Sequence, residues 1–439
     1  MRLDMPNART FALTQVSIPT VNIEAPVGAA LEGLTRADIL ISDGKVVDIV
    51  PVGTAPADLP QMDLRYGMVL PCFTDMHTHI DKGHIWPRQP NPDGTFTGAL
   101  QAVRADTVAH WSANDVETRM EFSLNCAYAH GTQLLRTHID SAAPQHRISF
   151  EVFAKLRARW QGRIALQAAA LFPLDAIFDD SYFNDLLRVL VEHQGLLGGV
   201  TQMGPDLIAQ LDRVFSSAKA HNLDIDLHVD ETAAQEARTL EVIAEASLRH
   251  KFKGSVTVGH CCSLAQQSDA DIRSIIAKVA DAGLQVVSLP MCNMYLQDRH
   301  PRRTPRWRGV TLFHELAAAG VATAVASDNT RDPFYAYGDL DPVEVIRESV
   351  RILHLDHPFD DVARIVTTSP AAMLKRPEFG RITKGAPANM VLFSARNWSE
   401  FFSRPQSDRA VMRSGKLIAA SLPDYRDLDT LFGAENGRL

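Results

Sequence analysis

The chain of 439 residues is an α/β protein by its sequence. The fold it predicts is a distorted (β/α)8 TIM barrel over residues 67–375, with a small β-sandwich assembled from both chain termini, residues 1–66 and 376–439. Three observations point there. Hairpin signals occur at both ends of the chain and not in its middle. Short apolar runs alternate with amphipathic helical runs through the middle. Polar residues of the kind that bind metals stand at the ends of those apolar runs.

The first hairpin is residues 37–50, two apolar runs around Asp43-Gly44, a pair suited to a tight turn with both central φ angles positive. The C-terminal part repeats the pattern, with a strand over 388–393 and a hairpin over 410–419 around Ser414-Gly415. The middle supplies strands at 68–76, 133–139, 164–172, 197–203, 223–229, 255–260, 284–290 and 322–327. Amphipathic helices fall between them, at 181–192, 205–220, 232–250 and 269–282. Eight βα units over this length fit a barrel with insertions. Alternation alone also fits an open doubly wound sheet, but no Gly-x-Gly-x-x-Gly follows the early strands, which counts against the dinucleotide-binding variant.

Bulk composition excludes several classes. Hydrophobic residues are 46% and charged residues 22%, as in globular proteins, and the net charge of −8 offers no basic surplus for nucleic acid. The N-terminal stretch has no apolar core of a signal peptide, and no run of 18 apolar residues predicts a membrane span. The five cysteines, Cys72, Cys126, Cys261, Cys262 and Cys292, are scattered and form no C-x-x-C pair. They read as reduced thiols of a cytoplasmic protein rather than as a structural zinc module.

The segment Leu70-Pro-Cys-Phe-Thr-Asp-Met-His77-Thr-His79 is an apolar strand ending in a His-x-His pair. Residues i and i+2 of a strand point to one side, so two imidazoles at a strand mouth can grip one metal ion. Other strand ends carry Arg136-Thr-His138-Ile-Asp140, Asp226-Leu-His228-Val-Asp-Glu231, Gly259-His260 and Ser327-Asp328-Asn329. Barrels place their catalytic groups at such ends. A single strand-end histidine is more often ordinary, but several on separate strands, with Asp328, define a candidate site. A cation held by neutral imidazoles and one carboxylate lowers the pKa of bound water towards about 7 when a coordination position stays open. Glu231, just past the strand that ends at His228, is the candidate acid/base. Its plain alternative is a solvated glutamate at a helix N-terminus.

These residues resemble the amidohydrolase superfamily, in particular its cytosine deaminase branch. The likeness runs through Pro71-Cys-Phe-Thr-Asp-Met-His-Thr-His-Ile-Asp81-Lys, Arg136-Thr-His138-Ile-Asp140, His228-Val-Asp-Glu231, Asn293-Met-Tyr-Leu-Gln297-Asp-Arg299 and Ser327-Asp328-Asn-Thr-Arg-Asp-Pro-Phe334. The resemblance implies that His77, His79, His228 and Asp328 ligate one divalent metal ion per chain, Zn2+ or Fe2+. It implies that His260 orients an attacking metal-bound hydroxide, that Asp328 also accepts a proton, and that Glu231 protonates the ring nitrogen beside the attacked carbon. No lysine ends the fourth strand, where binuclear members carry a carboxylated one.

The implied activity is deamination of a planar N-heterocycle with release of ammonia, the ring being a cytosine-like pyrimidine, a pterin or a related ring. The alternative is an amidohydrolase acting on a cyclic amide or N-substituted amine, of triazine or creatinine type. Leu174 aligns with the glutamine by which cytosine deaminases read their substrate, and an unpaired amide edge costs about 1–3 kcal/mol. Either Gln202 takes over that reading or the substrate differs. Phe334 is placed to stack on a ring, and Gln297 lies in a family-like segment with a less defined role. Arg331 and Asp332 are expected to pair with each other. The expected partner is a small heterocyclic substrate, with homo-oligomers common among barrels of this kind.

Overall fold

The computed structural model describes residues 4–28, 30–419 and 421–433. The chain divides into two compact units, one of Met1–Thr74, Ala127–Leu134 and Asp341–Leu422, the other of Asp75–Cys126, Leu135–Leu340 and Pro423–Leu439.

The first unit contains two sheets. In one, Thr10–Pro19 pairs antiparallel with Leu34–Ser42 and parallel with Gln61–Asp63, and Lys45–Pro51 folds back on Leu34–Ser42. In the other, Val69–Pro71, Met390–Leu392, Ala410–Arg413 and Lys416–Leu417 pair antiparallel in that order. One apolar core joins both ends of the chain, with Phe11, Leu13, Ile39 and Ile41 packed with Val69, Met390, Leu392 and Met412. Both predicted hairpins form. Asp43 and Gly44 have φ of 48° and 77°, and Ser414 and Gly415 have φ of 45° and 74°, as two-residue hairpin turns require. The two turns touch, since a Cβ on Gly44 would stand 2.6 Å from the Ser414 carbonyl oxygen. Glycine is therefore required there by contact as well as by conformation.

Eight further strands lie in the second unit, apart from the first residues of β1 and β2: β1 (Phe73–Thr78), β2 (Thr132–Asp140), β3 (Ala165–Leu171), β4 (Leu197–Val200), β5 (Ile225–Val229), β6 (Val256–His260), β7 (Gln285–Ser288) and β8 (Ala322–Val325). β1, β2 and β3 are neighbours in one sheet, and β4 to β8 form a second, parallel sheet in chain order. Parallel bridges Ala169↔Leu196 and Pro173↔Val200 link β3 to β4, and Thr78↔Asp328 links the end of β1 to the residues after β8. Every residue of β5 and β6 is buried, which is why these strands read as unbroken apolar runs rather than alternating ones. Helices Asp180–His193, Leu207–His221, Thr239–His250 and Asp269–Asp281 separate the strands. Asp179 and Ser268 cap two of them by accepting from Tyr182 N and Asp271 N. Among the described residues no helix is long and apolar enough to cross a membrane.

Two predicted elements differ. The run 68–76 is not one strand. It breaks at Cys72, where Val69–Pro71 pairs with Met390–Leu392 and Phe73–Thr78 joins β2. Both pieces are wholly buried, so hydrophobicity gives no sign of the break. The helix expected over 232–250 starts only at Thr239. Asp230 leaves β5 with φ of 51°, and its carboxylate accepts from the amides of Thr239 and Leu240 at 3.0 Å each. A distant side chain thus caps the helix and leaves Glu231 in the excursion between.

Candidate active site

The side chains of His77, His79, His228 and Asp328 converge beyond the C-terminal ends of β1, β5 and β8. His228 Nε2 lies 3.2 Å from both His77 Nε2 and His79 Nε2. Asp328 Oδ1 lies 3.5 Å from His77 Nε2 and 3.2 Å from His79 Nε2. All four residues are buried. Strand periodicity brings His77 and His79 to one side, and the main chain fixes Asp328, whose N–H donates to the His77 carbonyl at 2.9 Å. Asp75, two residues before His77, accepts from the backbone and hydroxyl of Ser327, holding the chain just before Asp328. Asp230, His260 and Asp328 all have φ between 51° and 70°, sparsely populated backbone of the kind that clusters at functional sites.

The donor set fits a divalent cation. Ligands about 2.0–2.1 Å from a tetrahedral zinc stand about 3.3 Å apart, close to the spacings here. Both oxygens of Asp328 are buried, with the weak Cys292 thiol as the donor beside them, an arrangement costly to keep unless a cation or proton satisfies it. Burial and the neighbouring imidazoles hold His77 and His228 well below the usual histidine pKa, and burial with Lys82 and the imidazoles does the same for His79. Their nitrogen lone pairs are therefore free to coordinate. Burial pushes the Asp328 carboxyl up to about 7, and an adjacent cation is the group that would keep it ionised.

Glu231 stands beside this cluster. Its Oε1 is 3.7 Å from His260 Nδ1, and both are bridged by Asn293, whose Nδ2 lies 2.9 Å from His260 Nδ1 and 3.4 Å from Glu231 Oε1. Gln297 Nε2 donates to the Glu231 carbonyl at 3.1 Å. Burial, then the Asp328 charge, push the Glu231 carboxyl well above the usual range, so it holds a proton it can donate.

The four predicted substrate contacts are distributed unevenly. Phe334 is buried, edge-on to Phe96 with centroids 5.4 Å apart, and its ring faces Lys82 Nζ at 5.1 Å. Gln297 is buried against Glu231. Leu174 is buried against Gly199, where a Cβ would meet Leu174 Cδ2 at 2.5 Å. Gln202 is exposed just past β4. Arg331 and Asp332 part company. Asp332 accepts from Asn329 Nδ2 and the amides of Phe334 and Tyr335, while Arg331 lies over the Tyr425 ring at 4.2 Å.

Three residues at the site escaped sequence reasoning as site residues: His138, Asn293 and Lys82. Lys82 Nζ pairs with Asp140 Oδ1 at 3.1 Å, and Asp140 N donates to Asp81 Oδ2 at 2.7 Å. Burial opposes the lysine charge, but Asp140 and Asp81 outweigh it and its pKa lies above the ordinary value. Period-2 spacing was the available signal for His138, since Arg136 and His138 share a face of β2 as Asp226 and His228 share one of β5.

A chain with this fold and this cluster falls in a known class. It belongs to the amidohydrolase family, whose family model matches residues 160–419. Over 429 residues it is 65% identical to a pterin deaminase of Rhizobium rhizogenes (strain K84), an alignment that covers 98% of each protein. An N-isopropylammelide isopropyl amidohydrolase of Pseudomonas sp. (strain ADP) is 23% identical over 372 residues, covering 82% of this chain and 87% of that protein. Among solved structures, 5-methylcytosine deaminase from Klebsiella pneumoniae shares the fold, with a TM-score of 0.79 at 21% identity over 94% of this chain and 98% of that one.

Proposed function

We propose that this chain is a metal-dependent aminohydrolase that replaces the exocyclic amine of a pterin with oxygen and releases ammonia. The observation that carries the substrate is 65% identity, along 98% of the chain, to a pterin deaminase. The chemistry is supported by a half-buried Glu231, its carboxyl pushed towards the protonated form, beside four converging metal-type ligands. We read the eight strands as one closed barrel, supported by the bridges between β3 and β4 and between the ends of β1 and β8. The two-sheet unit made from both termini is read as a β-sandwich.

His77, His79, His228 and Asp328 would hold one divalent ion, Zn2+ or Fe2+. When bound, such an ion acidifies water so that hydroxide is available near neutral pH. Water attacks the ring carbon that bears the amine, and His260 orients it through Nε2. Attack builds charge on the adjacent ring nitrogen, and Glu231 delivers its proton there. Asp328 takes up the proton that the attacking water loses. The ionised Glu231 then takes the hydroxyl proton of the adduct, the proton held by Asp328 passes to the amine, and ammonia leaves as the carbon forms its carbonyl, which restores both carboxyl groups. Phe334 and Leu174 line the ring site as apolar walls. Gln202 offers an amide at the strand mouth, and Gln297 acts on the site through Glu231.

Incubating zinc- or iron-loaded protein with pterin, cytosine and guanine separately, and measuring ammonia together with product mass, tests the substrate. Pterin is expected to turn over with the highest kcat/KM. No ammonia from pterin, with cytosine or guanine consumed, would reassign the substrate.

A further inference from the structure

We propose that His138 is a positioning residue for the metal-binding imidazoles and that a buried Arg136–Asp226 pair holds it in place. The proposal rests on the ligand set given above. An imidazole that ligates a metal ordinarily donates its second ring N–H to a carboxylate, a carbonyl or water, and that bond fixes the ring. The Nδ1 atoms of His77, His79 and His228 are buried and have no hydrogen-bond partner in the protein. The protein's own hold on their orientation is therefore the packing of the neighbouring side chains.

His138 is the neighbour common to all three. Its ring centroid lies 4.0 Å from that of His77, 4.8 Å from His228 and 5.4 Å from His79. The side chain is fully buried, so it cannot swing out to solvent and act as a loose contact. Its own placement follows from strand periodicity. Two residues earlier on β2, Arg136 donates from Nη1 to Asp226 Oδ2 at 2.8 Å, and Asp226 Oδ1 lies 3.2 Å from His138 Nε2. Arg136 also donates to Gln167 Oε1 on β3, from Nη2 at 2.8 Å and from Nε at 3.2 Å. A row of side chains from β3, β2 and β5 thus runs beneath the imidazoles and carries the wedge that spaces them. Breaking a buried, hydrogen-bonded ion pair is costly, so the row is a stiff support.

The test measures zinc affinity of the full chain by competition with a chelator of known affinity, in wild type, His138→Ala and His138→Phe. The alanine variant should lose roughly 10–100-fold in affinity, the range seen when groups supporting metal ligands are removed, and phenylalanine, which refills the ring but gives up the Asp226 contact, should recover part of that loss. Alanine at wild-type affinity would overturn the proposal. Phenylalanine as weak as alanine would overturn it too, by showing that the bulk of the ring does not space the ligands. If alanine prevents folding, His138→Val takes its place with the same outcomes. Wild-type protein that takes up no zinc or iron defeats the ligand set itself, a result separable from either variant outcome.

Discussion

Asn293 sets which ring nitrogen of His260 carries the proton. The Asn293 amide nitrogen lies 2.9 Å from His260 Nδ1 and 3.4 Å from Glu231 Oε1. An amide nitrogen only donates, so His260 accepts at Nδ1 and the neutral ring carries its proton at Nε2. The hydrogen-bond network assigns this tautomer. Burial and His138 lower the His260 pKa to about 3, which keeps the ring neutral at working pH. Its Nε2 is buried with no protein partner, free to donate as the role proposed for His260 requires.

Asn293→Leu should therefore lower kcat by roughly 100-fold, the scale of one lost donor to a developing oxyanion, while metal content stays at the wild-type level. Asn293→Asp should be no better, because a carboxylate would draw the His260 proton to Nδ1. Steady-state kinetics with metal analysis decides this, and a leucine variant with wild-type kcat would refute the tautomer.

Glu231→Gln keeps the size and hydrogen bonding of the side chain but removes the transferable proton. Its kcat should fall by about 10²–10⁴-fold, the usual contribution of a general acid, with unchanged metal per chain. A variant that loses its metal in step with its activity would instead mark Glu231 as part of the ligand set.

Acid should unfold this protein partly through His84. The ring is buried, 4.7 Å from Phe122 edge-to-face, and neither nitrogen has a partner. Burial, then the Arg331 charge, lower its pKa to about 3. The unfolded chain binds this proton near pH 6.5, so the contribution is complete above that pH and is lost as pH falls towards 3. Between pH 7 and 4.5 the loss is about 3 kcal/mol. His84→Phe should remove this slope. Urea midpoints of both proteins at the two pH values measure it, and parallel losses would show that His84 does not titrate on unfolding.

Stripping the metal should destabilise the fold as well as abolish turnover. A ligand present at 100 times its Kd stabilises by about 2.7 kcal/mol, so chelation should lower Tm by several degrees, and zinc or iron should restore it. A Tm indifferent to chelator would mean that the converging imidazoles hold no ion in the folded protein.

Much of the site is legible in the sequence. Strand-end position alone marks His77, His79, His138, His228, His260 and Asp328 as candidates, with Glu231 as a candidate acid/base, and the choice of ligands among them comes from the resemblance to the amidohydrolase superfamily. The parts that stay hidden depend on contacts between strands. His138 is visible as a strand-end histidine, but its place among the three imidazoles shows only when its ring is found against theirs. Asn293 sits on a short helix, Pro290–Leu296, and its reach to His260 depends on how that helix seats. The break at Cys72 is invisible because Met390–Leu392, far along the chain, claims the residues before it.

The most direct measurement is pterin deamination by metal-stripped protein titrated with zinc or iron, with ammonia counted against metal added. The rate should rise from near zero and level off at one equivalent per chain, with one ammonia per pterin consumed. Full activity before any metal is added, or a plateau only at two equivalents, would contradict a single-metal deaminase built on His77, His79, His228 and Asp328.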